Sequence, residues 1–256
     1  MTTRTLTHPT PGPITFDARS FAACIEVAVT DTTHATVTIT TADTDGPSHD
    51  AVAGARIEHR PGLLNAQVAD RDAAGGITIV RRGNSVSVRA VSVARNVSII
   101  GSRVFMDGAE VTGTAASHAS VMVRAELPRG SKVQAETEAG EITTSGPLAQ
   151  IGARTVSGAV SIEQAEDARI DTTSGGIEIR TAQRAVTHTV SGTTLIDRVE
   201  CANADSVSGT VTIREATGCT ASHTVSGAIA IWHSGPIPLT RTVSGRVHVT
   251  AVRPSR

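Results

Sequence analysis

TVSGAVSI, at Thr155–Ile162, is the phrase on which the fold of this chain turns, because the chain repeats it. Before it stands TEAGEIT (Thr137–Thr143). After it come TTSGGIEI (Thr172–Ile179), TVSGTTLI (Thr189–Ile196), SVSGTVTI (Ser206–Ile213), TVSGAIAI (Thr224–Ile231) and TVSGRVHV (Thr242–Val249). The glycines fall at 140, 158, 175, 192, 209, 227 and 245, so the steps are 18, 17, 17, 17, 18 and 18. A fixed period held over so long a stretch marks stacked supersecondary units. Within each unit β-branched residues alternate with polar ones and no helical spacing occurs, so the units are strands. Seventeen residues at about 3.3 Å each give a closed path of roughly 55–60 Å, one flattened or triangular coil. The sequence therefore predicts an all-β fold, a single-stranded parallel β-solenoid with coils of 17–18 residues, preceded by irregular strands and a hairpin.

Counting from each glycine assigns the side chains. Positions +2 (Ile142, Val160, Ile177, Thr194, Val211, Ile229, Val247) and +4 (Thr144, Ile162, Ile179, Ile196, Ile213, Ile231, Val249) form the apolar core. Position −4 reads Glu136, Arg154, Asp171, His188, Asp205, His223, Arg241, which no dry interior accepts. Side chains alternate along a strand. Position −2 (Val156, Thr173, Val190, Val207, Val225, Val243) is then expected outside, and −3 (mostly Thr) and −1 (mostly Ser) inside. The glycine becomes the corner where parity changes and permissive dihedrals are wanted.

In-register stacking sets neighbours in a column about 4.8 Å apart. The −4 column largely alternates in sign, and so does position +5: Glu163, Arg180, Asp197, Arg214, then Trp232. These two columns are predicted charge ladders, in which unlike neighbours hold the register and slipped pairings are penalised. Trp232 is expected to cap Arg214 by a cation–π contact.

Composition narrows the function. The 256 residues carry a net charge of −1 and no block of like charge, which argues against nucleic acid. Aromatics make up 2% with no Tyr, so the usual stacking platforms for bases and sugars are missing. No apolar run is long enough to span a membrane, and MTTRTLTHPTPGPITF has no apolar signal core, so a cytoplasmic location is expected, with surface association left open. Cys201 and Cys219 both stand eight residues before a glycine and should be stacked neighbours. Parallel in-register side chains suit a bridge poorly, so free packed thiols are expected ahead of a disulfide or a metal pair.

Along the chain, residues 1–12 read as a frayed tail, 13–118 as a β-rich N-terminal region and 119–256 as the regular solenoid. Ile14–Phe16 is a first strand; Cys24–Val29 and Ala35–Thr40 read as a hairpin. Ser48 is expected to cap a short helix through Ala55, and Pro61–Gly62 to turn between two extended segments. From Gly75 short strands follow at 8–12-residue spacing, as early coils or a meander. Pro236, Pro238 and terminal arginines are expected to protect the last coil from end-to-end pairing.

The T-V-S-G-x-V-x-V phrase at this period, preceded by VMVRAELPRGSKV (Val121–Val133), resembles the bacterial β-strand-repeat family labelled "putative adhesin". The likeness covers Ser120–Val249 well and the first hundred residues loosely. It implies a domain of unknown function and supplies no catalytic residues.

No enzymatic constellation stands out. His188 and His223 lie two coils apart, roughly 9–10 Å by strand spacing, too far to share one ion. Acids interleave with bases rather than clustering as a glycosidase requires. An ice- or lattice-binding face would need outward threonines, and these are expected inside. No cofactor, metal or small-molecule ligand is indicated. The expected function is a non-catalytic scaffold or protein-interaction module, binding an unidentified protein or a second copy, with a β-helix carbohydrate-active enzyme as the alternative. The surface that points to a partner is the strip Val156, Val190, Val207, Val225 and Val243, unless residues 14–68 fold back over it.

Overall fold

The computed structural model describes residues 1–70 and 121–251 in full, and five strands between them by their pairing. In chain order the elements are β1 (Thr2–Thr7), β2 (Thr15–Arg19), β3 (Cys24–Thr30), β4 (Thr36–Thr41), α1 (Gly46–Ala53), β5 (Arg56–Arg60), β6 (Leu63–Gln67), β7 (Ile77–Arg82), β8 (Ser85–Ala90), β9 (Val97–Ile100), β10 (Arg103–Met106), β11 (Ala109–Glu110), β12 (Met122–Pro128) and β13 (Lys132–Thr137). The repeats supply β14 (Ile142–Thr155), β15 (Val160–Thr172), β16 (Ile177–Thr189), β17 (Thr193–Ser206), β18 (Thr210–Ala216), β19 (Thr220–Thr224), β20 (Ala228–His233), β21 (Leu239–Thr242) and β22 (Arg246–Ala251).

The repeats form a parallel β-solenoid. Each coil stacks on the next in register: Val160 on Ile177, Ile177 on Thr194, Thr194 on Val211. Ladders run through 160–162, 164–165 and 167–172 of one coil, so the path turns at residues 163 and 166 and again at the T-V-S-G phrase. Both predicted core columns are buried down to Ile229 and Ile231. The opposite wall adds columns headed by Leu148, Ile151 and Ala153, the last two continuing as Ala168, Ala185 and Ala202, and as Ile170, Thr187 and Ala204. Alanine has little strand preference. Its place here is burial, since Ala168 and Ala185 are fully enclosed in the close-packed core.

The corner differs from the expectation in two ways. The −3 hydroxyl does face in, where Thr155 accepts from the Gly158 N–H at 2.9 Å and Thr189 from the Gly192 N–H at 3.0 Å. The −1 serines face out instead. Ser174 Oγ donates to the Val156 carbonyl and Ser208 Oγ to the Val190 carbonyl, each at 3.2 Å and each in the preceding coil. The turn is thus V-S itself, closed by the threonine, and parity changes there. Nor does the glycine need a left-handed dihedral; among the described residues the glycines with positive φ are elsewhere, at Gly12, Gly46, Gly62, Gly130 and Gly146. It is required by proximity, since a Cβ at 175 would stand 1.9 Å from the Gly158 carbonyl oxygen.

The N-terminal third joins this stack. On one wall the order runs β1–β4–β12–β3–β14, and on the other β5–β6–β2–β13–β14. The β2–β3 segment is therefore slotted as a coil between strands that come later in sequence. The predicted hairpin does not form: β12 lies between β3 and β4, parallel to one and antiparallel to the other. Arg124 seals the insertion by binding Glu26 at 2.7 Å, and the bond and charge of Glu26 raise the Arg124 pKa above its ordinary value. Both oxygens of buried Asp70 accept backbone N–H groups, from Phe21 at 2.6 Å and Ala22 at 2.9 Å, fixing the corner between β2 and β3.

Residues 2–7 are a strand on β4 rather than a frayed tail. Arg4 ties β1 to the Ala53 and Ala55 carbonyls, and His8 is buried against the carbonyls of Thr10 and Arg60. The helix begins at Gly46, with Asp45 as N-cap and a proline in its first turn, not at Ser48, which is buried. Pairs β7–β8 and β9–β10–β11 are antiparallel, a meander rather than early coils.

Cys201 and Cys219 form a disulfide with Cα atoms 4.6 Å apart, where free thiols were expected; Cys24 is free. Cys219 lies in the break between β18 and β19. Its carbonyl still accepts the Ala202 N–H at 2.9 Å, but it stands outside the regular strand on which the expectation rested.

Candidate functional site

The valine strip and the −4 column share one side of the stack. The exposed first position of the turn is valine in five coils and Thr173 in the one between Val156 and Val190. Val156, Val190, Val207 and Val225 are 40–48% exposed and Val243 is 73% exposed. Residues 14–68 do not cover the strip; they extend the stack instead.

Beside the valines the −4 residues pair in register from Glu136 on Arg154 through Asp171, His188, Asp205 and His223 to Arg241. Arg154 meets Asp171 at 3.6 Å and His188 Nδ1 lies 3.3 Å from Asp205. Between the two columns runs an open groove of about 510 Å³, walled by Val156, Thr173, Val190, Val207 and Val225 on one side and by Arg154, Asp171, His188, Asp205 and His223 on the other. Such a groove offers apolar contact along one wall and alternating charge along the other.

The +5 column lies at the corner beyond, where Glu163 pairs with Arg180 at 3.7 Å and Asp197 with Arg214 at 2.8 Å. Arg198 and Glu215, at 2.9 Å, form a further pair that the column count did not single out. Trp232 meets the His248 ring edge-on, with centroids 6.2 Å apart, instead of capping Arg214. Among the described residues no group of three or more His, Cys, Asp or Glu is placed to hold a metal ion. A polar recess of about 370 Å³ holds Asp17, Glu136 and Asp171, but Arg19, Arg154 and Arg169 are set among them.

This architecture has counterparts among solved structures. A "putative adhesin" from Bacteroides fragilis NCTC 9343 is 15% identical, with a TM-score of 0.50 over 98% of this chain and 97% of that one. Two others of that name, from Parabacteroides merdae ATCC 43184 and Parabacteroides distasonis ATCC 8503, are 13% and 12% identical with TM-scores of 0.46 and 0.45, each over 98% of this chain. The likeness is one of fold. No family model matches the chain, and no curated protein matches it. No helix among the described residues is long and apolar enough to cross a membrane.

Proposed function

We propose that this protein is a non-catalytic β-solenoid scaffold that docks another polypeptide, or a second copy of itself, along the valine-lined groove, in an adhesin-like role. The observation that carries this reading is the aligned exposure of Val156, Val190, Val207 and Val225 beside a charge ladder. Isolated exposed valines are ordinary, but an aligned apolar strip on a protein surface usually has a partner. The name of the Bacteroides fragilis protein brings adhesion here as the kind of task. A carbohydrate-active enzyme has less support, because each candidate acid is matched by a base: Asp171 by Arg154, Glu136 by Arg19. Nucleic acid and small-molecule ligands have no surface in this reading. The Cys201–Cys219 bond supports an oxidising location.

The test replaces Val190, Val207 and Val225 together with Thr, which keeps strand preference and removes the apolar contact. Sedimentation of the parent over a range of concentrations, and cross-linking to surface proteins, are compared with the triple variant. The parent should form a complex that the variant loses while its melting temperature holds. Identical behaviour of the two proteins would reduce the strip to ordinary surface.

A further inference from the structure

The two ends of the stack are finished differently. At the N-terminal end strand direction reverses: β4 runs antiparallel to β12 and β5 antiparallel to β6, with α1 placed after β4. Reversal of this kind ends a parallel template. The C-terminal end keeps the parallel pattern to the last described rung, β21 on β19 and β22 on β20.

That last rung is built as though another lay on it. Every earlier described member of the +2 and +4 columns is at most 2% exposed, whereas Val247 is 39% and Val249 37% exposed. Leu239 and Ile237 beside them are 74% and 86% exposed. The six earlier corners each close with a hydroxyl accepting the glycine N–H, from Thr137 to Thr224. At the seventh, the Thr242 hydroxyl is buried with no partner. Among the described residues no strand pairs with the outer edge of β21 or β22, two core-column residues are uncovered and the corner is unfinished.

Charge says what fits. Residues 236–251, PIPLTRTVSGRVHVTA, hold Arg241, Arg246 and His248 and no acid. In the body of the stack such cations face acids one coil away, as Arg154 faces Asp171. A two-fold contact between edges of two copies would bring four arginines into one seam without a counter-charge, which disfavours self-pairing. We propose that the β21–β22 edge is a docking site for an extended segment of a partner polypeptide that carries alternating acidic and apolar residues and adds to the stack as a further parallel rung. Strand addition supplies affinity through the backbone and specificity through alternate side chains. Acids stand over Arg246 and His248, and apolar side chains cover Val247 and Val249. Arg246, Val247 and Val249 do not line the valine groove, so either proposal can fail alone.

The probe is a fluorescein-labelled synthetic peptide in which a Thr-Val-Ser-Gly lead is followed by alternating glutamate and valine; its counterpart has lysine for glutamate. Anisotropy titrations use the parent, Arg246→Glu and Val247→Asp, each first shown to melt with the parent. The glutamate peptide should bind the parent saturably, and at least tenfold more weakly to either variant. The lysine peptide should prefer Arg246→Glu over the parent. The groove variant with Val190, Val207 and Val225 replaced should bind the glutamate peptide as the parent does. Equal binding of the two peptides, or binding of neither, would overturn the proposal. So would a parent dimer that Val247→Asp converts to a monomer, which would assign the edge to a second copy.

Discussion

Gly209 rests on the backbone of Gly192 so closely that a Cβ added at 209 would stand 1.9 Å from the Gly192 carbonyl oxygen. Because the obstacle is backbone, no side chain can swing aside, and the whole coil must shift. Gly209→Ala is expected to cost about 1–3 kcal/mol, toward the upper end, as overpacking does. Gly176→Ala is the control: a Cβ there meets nothing within 4 Å, and stability should change by less than about 0.5 kcal/mol. Urea denaturation of both variants measures the difference.

His188 and Asp205 test the charge ladder. Asp205 pairs with His188 on one side and His223 on the other. Asp205→Arg removes the carboxylate that meets His188 and sets a cation between the two histidines. Adding His188→Asp should recover part of the loss. Since the pair is half-exposed, the coupling should be small, about 0.5–1 kcal/mol, and a double-mutant cycle resolves it. Zero coupling would mean that the column aligns without contributing to register.

Thr194 is a polar residue in the apolar +2 column. It is fully buried between Ile177 and Val211, and its hydroxyl has no hydrogen-bond partner. Leaving a buried hydroxyl unpaired costs about 1–3 kcal/mol. Valine has the same shape and strand preference, so Thr194→Val should raise the urea midpoint, by about 1 kcal/mol in stability. A lower midpoint would show that the hydroxyl is satisfied in solution.

The disulfide predicts a labelling pattern. Denatured without reductant, the protein should take up an alkylating reagent at Cys24 only; with reductant, all three cysteines should react. Replacing Cys201 and Cys219 with Ser should cost about 3 kcal/mol, the scale for a closed loop of this length. Labelling of all three cysteines without reductant would show that the bond does not form.

The period, the strand class, the two apolar columns and the sign-alternating columns were all legible in the sequence. Each follows from local alternation plus a repeat of 17–18 residues, so every residue meets its own homologue one coil away. The charged −4 column also placed Thr155 and its equivalents inside and Val156 outside. The outward turn of Ser157 was not legible, because two successive side chains pointing out break alternation, and only the threonine-closed turn permits it. The alanine columns were hidden too, since nothing in alanine's weak strand preference marks Ala153 or Ala185 as buried.

What only the tertiary structure decided is how distant segments meet. Arg124 binds Glu26 across 98 residues of chain, in the pairing that puts β12 between β3 and β4. Backbone edges are chemically alike, so local sequence favours the nearest antiparallel partner and predicts a hairpin. The choice of β12 instead depends on fitting whole strands into one stack, where Ile25, Val123 and Ile39 are buried in the same core. The same holds for Cys219, which meets Cys201 from a strand break that the period alone does not reveal.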